Sequence, residues 1–374
     1  MRLKVSENAA MFWDGGRLVW DDYVRHRQYE LTEHAEWLCR WFREWRDVES
    51  VTRLCADSAD AERMRSSVAE LLRAGVLIAE DSPESKTERA RLHAWDGWGT
   101  AARYYHFATR MHHGTVFADG DDDARRLREK AQASPPPGPY RDFTDRPFVP
   151  APARPAAGTF TGGSLGEVLI ARRTTRRFSA EPIDLADLST LVGTAIGPSP
   201  TRPRSADDEL FGNVFKASPS GGARHPIEVY VHALNVTGLE PGFYHFDPVR
   251  GGFSDLGVAW SRDQVVHSVA DQAWIGGAAA VLYYTAVLAR SRWKYGVGRT
   301  YRIVLMDLGH LSQTVYLLAT ALGLGVGFSA AIRDEAIEEA LGCDPDQEIA
   351  LGVTALGRPT GLDQVSAALS RPHT

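Results

Sequence analysis

The sequence predicts a chain of class α+β built in two parts, and three observations carry that expectation. Eight of the twenty prolines fall between Pro135 and Pro155, just after the acidic run Asp119 to Asp123, a composition that suits an extended linker. Seven of the ten tryptophans (Trp13, Trp20, Trp37, Trp41, Trp45, Trp95 and Trp98) precede residue 110, so the two sides differ in make-up. Each side also mixes helical periodicity with strand-like apolar runs. The expected divisions are a first domain over 1–110, an acidic and proline-rich linker over 111–158, and a second domain over 159–374. At 374 residues and 44% apolar, the chain can fill two cores.

In the first domain, MFWDGGRLVWDDY reads as a hairpin turning at Asp14-Gly15-Gly16, where small residues supply the positive φ of a tight turn. Leu31, Ala35, Leu38, Phe42 and Trp45 then recur at helical spacing. A further helix over 61–73 presents Met64, Val68, Leu71 and Leu72 inward, stops at Gly75 and leads into the strand Val76-Leu77-Ile78. Hairpin, helices and strand make a small winged-helix-like domain. Many such folds bind DNA, but residues 1–110 hold 17 Lys plus Arg against 19 Asp plus Glu, a net of -2. Nucleic acid is therefore not an expected partner. The element order resembles the winged-helix modules that hold a leader peptide as an added strand at a sheet edge. Bracing the second domain or a dimer is the other role open to it.

The whole chain carries a net charge of -6 and a pI near 6.1, which draws it to neither nucleic acid nor an anionic membrane. Cys39, Cys55 and Cys343 are too few and too scattered for a disulfide framework and suit a reducing cytoplasm. The opening MRLKVSENAAMFWDGG has no apolar signal core, and no run of about 18 uncharged apolar residues follows. A soluble cytoplasmic protein is expected. No metal is expected either, because His112 and His113 point apart and lack a third ligand at metal-binding spacing.

In the second domain Ser164 and Glu167 form a capping box that opens a helix through Val168, Leu169 and Ile170. It runs into Arg172-Arg173-Thr174-Thr175-Arg176-Arg177, whose forked donors and hydroxyls suit a phosphate, with an exposed basic run as the plainer reading. Before the strand at Ile227 comes ASPSGGARHP, residues 217–226. Its glycines allow close backbone approach to a planar ring, and its serines can bond the ring's polar edge. Arg292, Lys294, Tyr295, Arg299, Tyr301, Arg302, Asp307 and His310 crowd the start of a long apolar helix, expected to be buried nearly all round. Desolvation at such a place lowers a lysine pKa toward a range useful for proton transfer, and ion pairs at a helix end are the alternative. His310 reads as a hydrogen-bonded core histidine, and Tyr283 and Tyr284 as opposite faces of one strand.

Arg172, Arg173, Thr174 and Arg176, with Ser218-Pro219-Ser220-Gly221-Gly222, resemble the paired segments of the nitroreductase-like flavoprotein superfamily. The resemblance covers residues 160–360 and extends to Gly323-Leu324-Gly325-Val326-Gly327 and to the strand Ile349 to Thr354 with Gly357-Arg358-Pro359. Several ordered motifs make it more specific than one glycine-rich loop. It implies an antiparallel-rich central sheet flanked by helices, FMN as cofactor, and a homodimer. The phosphate would lie on Arg172, Arg173, Thr174, Arg176 and Arg358, the flavin ring by Ser218 to Gly222, with Gly325 and Gly327 giving clearance. Within the superfamily, Arg292-x-Lys294-Tyr295, Arg299-x-Tyr301-Arg302 and Asp307-x-Gly309-His310 are similar to the SagB-type dehydrogenases, azoline oxidases of thiazole- and oxazole-forming peptide pathways. In that family the adjacent Lys-Tyr pair is catalytic. Thr174-Thr175 departs from the frequent serine, and residues 1–110 lie outside the shared core.

Turning an azoline into an azole removes two protons and two electrons, so a base and a hydride acceptor act together. Lys294 is the expected base and Tyr295 its orienting partner, with like charge from Arg292 or Arg299 depressing the lysine pKa. Asp307 is then expected to pair with an arginine. The substrate would be a modified precursor peptide, and a cyclodehydratase an expected partner. Two other readings compete: a nicotinamide-dependent nitro or enone reductase on the same scaffold, and a flavin-less scaffold that recruits a peptide through the tryptophan-rich domain.

Overall fold

The chain divides into two units, Met1–Val116 and Phe117–Thr374, in a computed structural model that describes residues 1–116, 119–152, 163–199 and 203–360. The first unit runs β1 (Arg2–Val5), β2 (Ala10–Asp14), β3 (Arg17–Asp22), β4 (Arg27–Glu30), α1 (Glu33–Trp41), β5 (Arg46–Asp47), α2 (Glu49–Thr52), α3 (Ser58–Ala74), β6 (Leu77–Ala79), α4 (Pro83–Ala94) and α5 (Gly99–Ala108). The predicted hairpin joins β2 to β3 through Gly15 and Gly16, both at positive φ. Left-handed Gly75 ends α3, as the sequence indicated, and Asp57 caps its start three residues ahead of the expected one. α1 is shorter than its periodicity suggested, closing at Phe42 and leaving Trp45 outside. β5, β1 and β6 form an antiparallel sheet with β6 at an edge, over a core of Leu3, Leu38, Phe42, Val51, Val68 and Leu77.

The second unit runs α6 (Gly120–Ala133), β7 (Phe148–Pro150), α7 (Leu165–Ala171), β8 (Ile183–Asp184), α8 (Leu185–Ile196), α9 (Ala206–Leu210), β9 (Ile227–Ala233), β10 (Val236–Thr237), β11 (Gly242–Asp247), β12 (Gly252–Asp255), α10 (Arg262–Ser268), β13 (Ala280–Val287), α11 (Leu288–Tyr295), α12 (Thr300–Ala321), β14 (Gly325–Ser329), α13 (Asp334–Leu341) and β15 (Glu348–Gly357). Seven strands form one sheet in the order β14-β15-β13-β9-β11-β12-β7, with every pair antiparallel. Along β13, Leu282, Tyr284 and Ala286 pack toward Val304, Leu308 and Leu311 of α12, whereas Val281 and Tyr283 pack with Val265 and Ile337 on the other side. The two tyrosines thus face opposite ways, as strand alternation requires. Among the described residues no helix is long and apolar enough to cross a membrane.

Two expectations need correction. The acidic, proline-rich stretch is not a plain linker: Asp119 accepts hydrogen bonds from the Asp121 and Asp122 N–H groups and caps α6, whose first turn carries the other aspartates. Acidic side chains there complement the positive end of the helix dipole. Further on, β7 pairs with β12 at the sheet edge, where proline is tolerated. Residues 117, 118 and 153–158 of that stretch lie outside the described residues. Second, α12 keeps one face open: Tyr301, Leu305 and Met306 are 41–57% exposed and His310 is exposed too, so it is no core histidine. An all-round apolar pattern marks what a helix can bury, not what its neighbours cover.

A buried ion pair fixes α11 to the sheet. Arg290 Nη2 lies 2.5 Å from Glu228 Oε1 on β9, and His245 Nε2 lies 2.8 Å from Glu228 Oε2. Burial acts to raise the Glu228 pKa, but Arg290 and His245 outweigh it and hold the carboxyl well below the usual glutamate range. Arg290→Met leaves that charge buried without its main partner. Urea unfolding is expected to register a loss of about 3–5 kcal/mol; a loss under about 1 kcal/mol would assign the anchoring of α11 to packing alone.

Candidate active site

α12 holds the glycine-rich segment that precedes β9. Ser220 Oγ donates to Asp307 Oδ2 at 2.5 Å, the Gly221 N–H donates to Asp307 Oδ1 at 3.1 Å, and Ser218 Oγ donates to Thr314 Oγ1 at 2.7 Å. The serines expected to face a ring edge therefore direct their hydroxyls at the helix, while Pro219 is exposed. Asp307, expected to pair with an arginine, pairs with the loop. Burial raises its pKa, opposed by the bonds from Ser220 and Gly221. Beyond this clamp the backbone turns left-handed, with φ of 63° at Gly222, 56° at Ala223 and 43° at His225. For the two non-glycines that conformation costs about 1–3 kcal/mol each and persists only where the surroundings enforce it.

At Gly222 the loop meets the Lys-Tyr pair. A methyl group there would lie 2.5 Å from the Tyr295 hydroxyl, 2.7 Å from Lys294 Cδ and 3.0 Å from Lys294 Nζ. A larger residue would have to displace one of them, and both side chains converge on one point of backbone. The Lys294 ammonium lies 5.7 Å from the Tyr295 ring centroid, and both residues are half-buried. Burial lowers the Lys294 pKa and the like charge of Arg224 lowers it further, against Asp123 and Asp208. Like charge was expected from Arg292 or Arg299; it comes chiefly from Arg224, and Arg292 is exposed. Sequence reading quoted Arg224 within the loop segment and gave it no role; its only signal was a basic residue directly after Gly222-Ala223. Burial, Asp123 and Asp307 raise the Tyr295 pKa, with Arg224 opposing. An amine pushed toward neutrality beside a phenol kept protonated is equipped to take a proton and to donate a hydrogen bond.

The arginine segment follows α7. The Arg172 guanidinium lies 5.5 Å from the Tyr316 ring centroid, Arg173 donates to the Ile170 and Arg172 carbonyls, and Arg176 lies 5.9 Å from the Trp274 ring centroid. Among the described residues none of the three makes an ion pair, and Thr174 Oγ1 lies 3.2 Å from the Tyr316 hydroxyl. Guanidinium groups uncommitted to carboxylates fit a phosphate. Arg358 differs, its Nη2 lying 3.4 Å from Asp184 and 3.2 Å from Asp187 carboxylate oxygens. Gly325 and Gly327 also depart from expectation. A methyl at Gly325 would meet Thr175 Cγ2 at 2.9 Å, and one at Gly327 would meet the Thr175 carbonyl at 2.8 Å and the Trp274 ring at 2.7 Å. Their clearance is taken up by the arginine segment, which lies along β14 with the Thr175 N–H donating to the Val326 carbonyl.

This arrangement has relatives. The nitroreductase family model matches residues 169–358. The chain belongs to the nitroreductase family. It is 36% identical over 181 residues to a protein of Methanocaldococcus jannaschii described as a nitroreductase, a match spanning 47% of this chain and 83% of that one. It is also 31% identical to the trifolitoxin-processing protein TfxB of Rhizobium leguminosarum bv. trifolii, over 38% of this chain. Identity to the microcin B17-processing protein McbC of Escherichia coli is 29%, over 36% of this chain. The matched parts span 39% of TfxB and 50% of McbC. Nitroreductase-family proteins typically bind flavin, and the chain is a family oxidoreductase by fold.

Gly222→Ala is expected to cost about 1–3 kcal/mol, because the new methyl must displace Lys294 and Tyr295 from a left-handed position. Thermal unfolding checks this; an unchanged melting temperature would mean that the pair does not occupy the space. Asp307→Ala strands the Ser220 hydroxyl and the Gly221 N–H, with an expected loss of about 1–3 kcal/mol and faster amide hydrogen exchange across residues 218–225.

Proposed function

We propose that the chain is an FMN-dependent dehydrogenase that oxidises thiazoline or oxazoline rings to azoles in a ribosomally synthesised peptide. The convergence of Lys294 and Tyr295 on Gly222 carries this reading, and the likeness to two peptide-processing proteins supports it. In this reading Arg172, Arg173, Thr174 and Arg176 hold the FMN phosphate and Arg358 contributes beside its aspartates. The segment Ser218 to Gly222 lies by the ring through its backbone, since its hydroxyls are engaged by α12. Bound FMN supplies the two-electron acceptor for hydride. Lys294, as free amine, takes the proton from the adjacent ring carbon, and the Tyr295 hydroxyl orients the ring for that transfer.

The first unit is, in the same reading, a winged-helix-like peptide-recognition domain. Its edge strand β6 borders a groove of about 290 Å³ lined by Arg25, Arg27 and Arg73 among others, which suits an extended peptide added at the edge. A cyclodehydratase would deliver the azoline, in the cytoplasm that the three free cysteines suit. Exposed Leu165, Leu169 and Ile170 of α7 with Leu305 and Met306 of α12 suit a homodimer contact. The relative from M. jannaschii favours a second reading, a nicotinamide-dependent nitro or enone reductase.

Purified protein with FMN and an azoline peptide is expected to give a product lighter by about two mass units per ring. Lys294→Ala should lower that conversion about 100-fold or more while retaining flavin absorbance. Full activity in that variant, together with rapid reduction of bound flavin by NADPH, would transfer the assignment to the reductase. Arg27→Glu with Arg73→Glu should weaken peptide binding in fluorescence anisotropy and leave oxidation of a short azoline unchanged; unchanged anisotropy would leave the first unit as a brace.

A further inference from the structure

We propose that Arg224 is a positioning residue that holds Lys294 in its free-amine form, by keeping an uncancelled positive charge fixed beside it. The inference rests on the reading of Lys294 as base. Arg224 is 2% exposed, and its Nε donates to the Arg290 carbonyl at 3.0 Å. Its Nη1 donates to the Phe211 carbonyl, and its guanidinium lies 5.0 Å from the Trp293 ring centroid. Two carbonyls and a ring face hold it in place, and among the described residues it makes no ion pair. A buried guanidinium ordinarily finds a carboxylate, because an unanswered charge away from water is costly. The neighbouring Arg290 obeys that rule through Glu228.

The location explains the exception. Trp293, which carries the guanidinium on its face, precedes Lys294 in the chain, and Gly222, two residues before Arg224, touches the Lys294 side chain. The loop and α11 thus each tie the residue that carries the charge to the residue that carries the amine. The groups that act on Lys294 are Arg224 from the loop and Asp123 and Asp208 from α6 and α9, with the Tyr295 ring beside it. Both acids favour the ammonium, but Asp123 already pairs with Arg126 at 2.7 Å, and the Asp208 carboxylate accepts from the Ser205 hydroxyl, the Ser205 N–H and the Asn213 side-chain amide. Arg224 is the cation with the largest effect in the other direction. Burial and Arg290 lower its own pKa to about 10, which leaves it charged at neutral pH.

Competitive acetylation of the full chain with FMN, read by peptide mass spectrometry across pH, measures the free-amine fraction of Lys294 without reference to turnover. The native Lys294 midpoint is expected below that of exposed Lys86. Arg224→Gln keeps donors for the two carbonyls and removes the charge, and should raise the midpoint by about one pH unit. Near neutrality that is about tenfold less free amine. The rising limb of kcat against pH should move upward by the same amount, since the amine works unprotonated, whereas Arg224→Lys restores the native profile. A native midpoint no lower than that of Lys86, or an unmoved midpoint in folded Arg224→Gln, overturns the proposal. Asp123→Asn, on the exposed first turn of α6, serves if the glutamine variant does not fold: removing an opposing acid should lower the midpoint, and no movement overturns the electrostatic account. Should Lys294→Ala keep azoline oxidation while the acetylation shifts appear, the base reading falls and the action of Arg224 on the amine stands.

Discussion

A single buried carboxylate decides where the parts of this site meet. Asp307 binds both the Ser220 hydroxyl and the Gly221 N–H, and so pins a loop to a helix whose own position is set by the hydrophobic face against the sheet. The loop delivers Gly222 to the C-terminal end of α11, while the Glu228–Arg290 pair fixes the first turn of that helix to the sheet. Neither contact involves Lys294 or Tyr295. Placement of the pair is thus a property of two polar anchors in elements that cross the central sheet, each worth more than a surface bond because burial removes the competing water.

Much of the fold could be read from local signals, because each had a physical cause within a few residues. Gly15-Gly16, the Ser164–Glu167 capping box and the Gly75 stop all fall where they were expected. The helix at Gly120–Ala133 was missed because aspartates and arginines dominate it and only Leu127 and Ala131 mark its inner face. Composition there described a linker, while the cap at Asp119 described a helix. Within the site, the Lys-Tyr pair and the loop were legible as motifs. The partner of Asp307 and the cation beside Lys294 were not, since Asp307 lies 86 residues beyond Gly221 and meets it only through the tertiary fold.

The arginines of the second unit sort by what answers their charge. Arg290 is buried against a glutamate and acts as a structural rivet. Arg358 sits between two aspartates at the surface, where such pairs contribute little to stability. Arg172, Arg173 and Arg176 meet no carboxylate among the described residues, and Arg173 and Arg176 are exposed, as suits an anion site. Arg224 meets no carboxylate among the described residues and lies inside. Sequence presents all six as the same residue type; the difference in role comes from burial and from the identity of the acceptor.

The tight seat of Gly222 makes the residue at that position a record of what stands across from it. A homologue that abandoned the amine and the phenol would lose the steric demand and keep only the left-handed backbone, which asparagine or aspartate can also adopt. Conversely, a chain that retains both is confined to the smallest residue. Inheritance should therefore transmit the two features as one unit, and comparing position 222 with positions 294 and 295 across related chains gives a way to separate those that preserve this arrangement from those that have drifted to other chemistry.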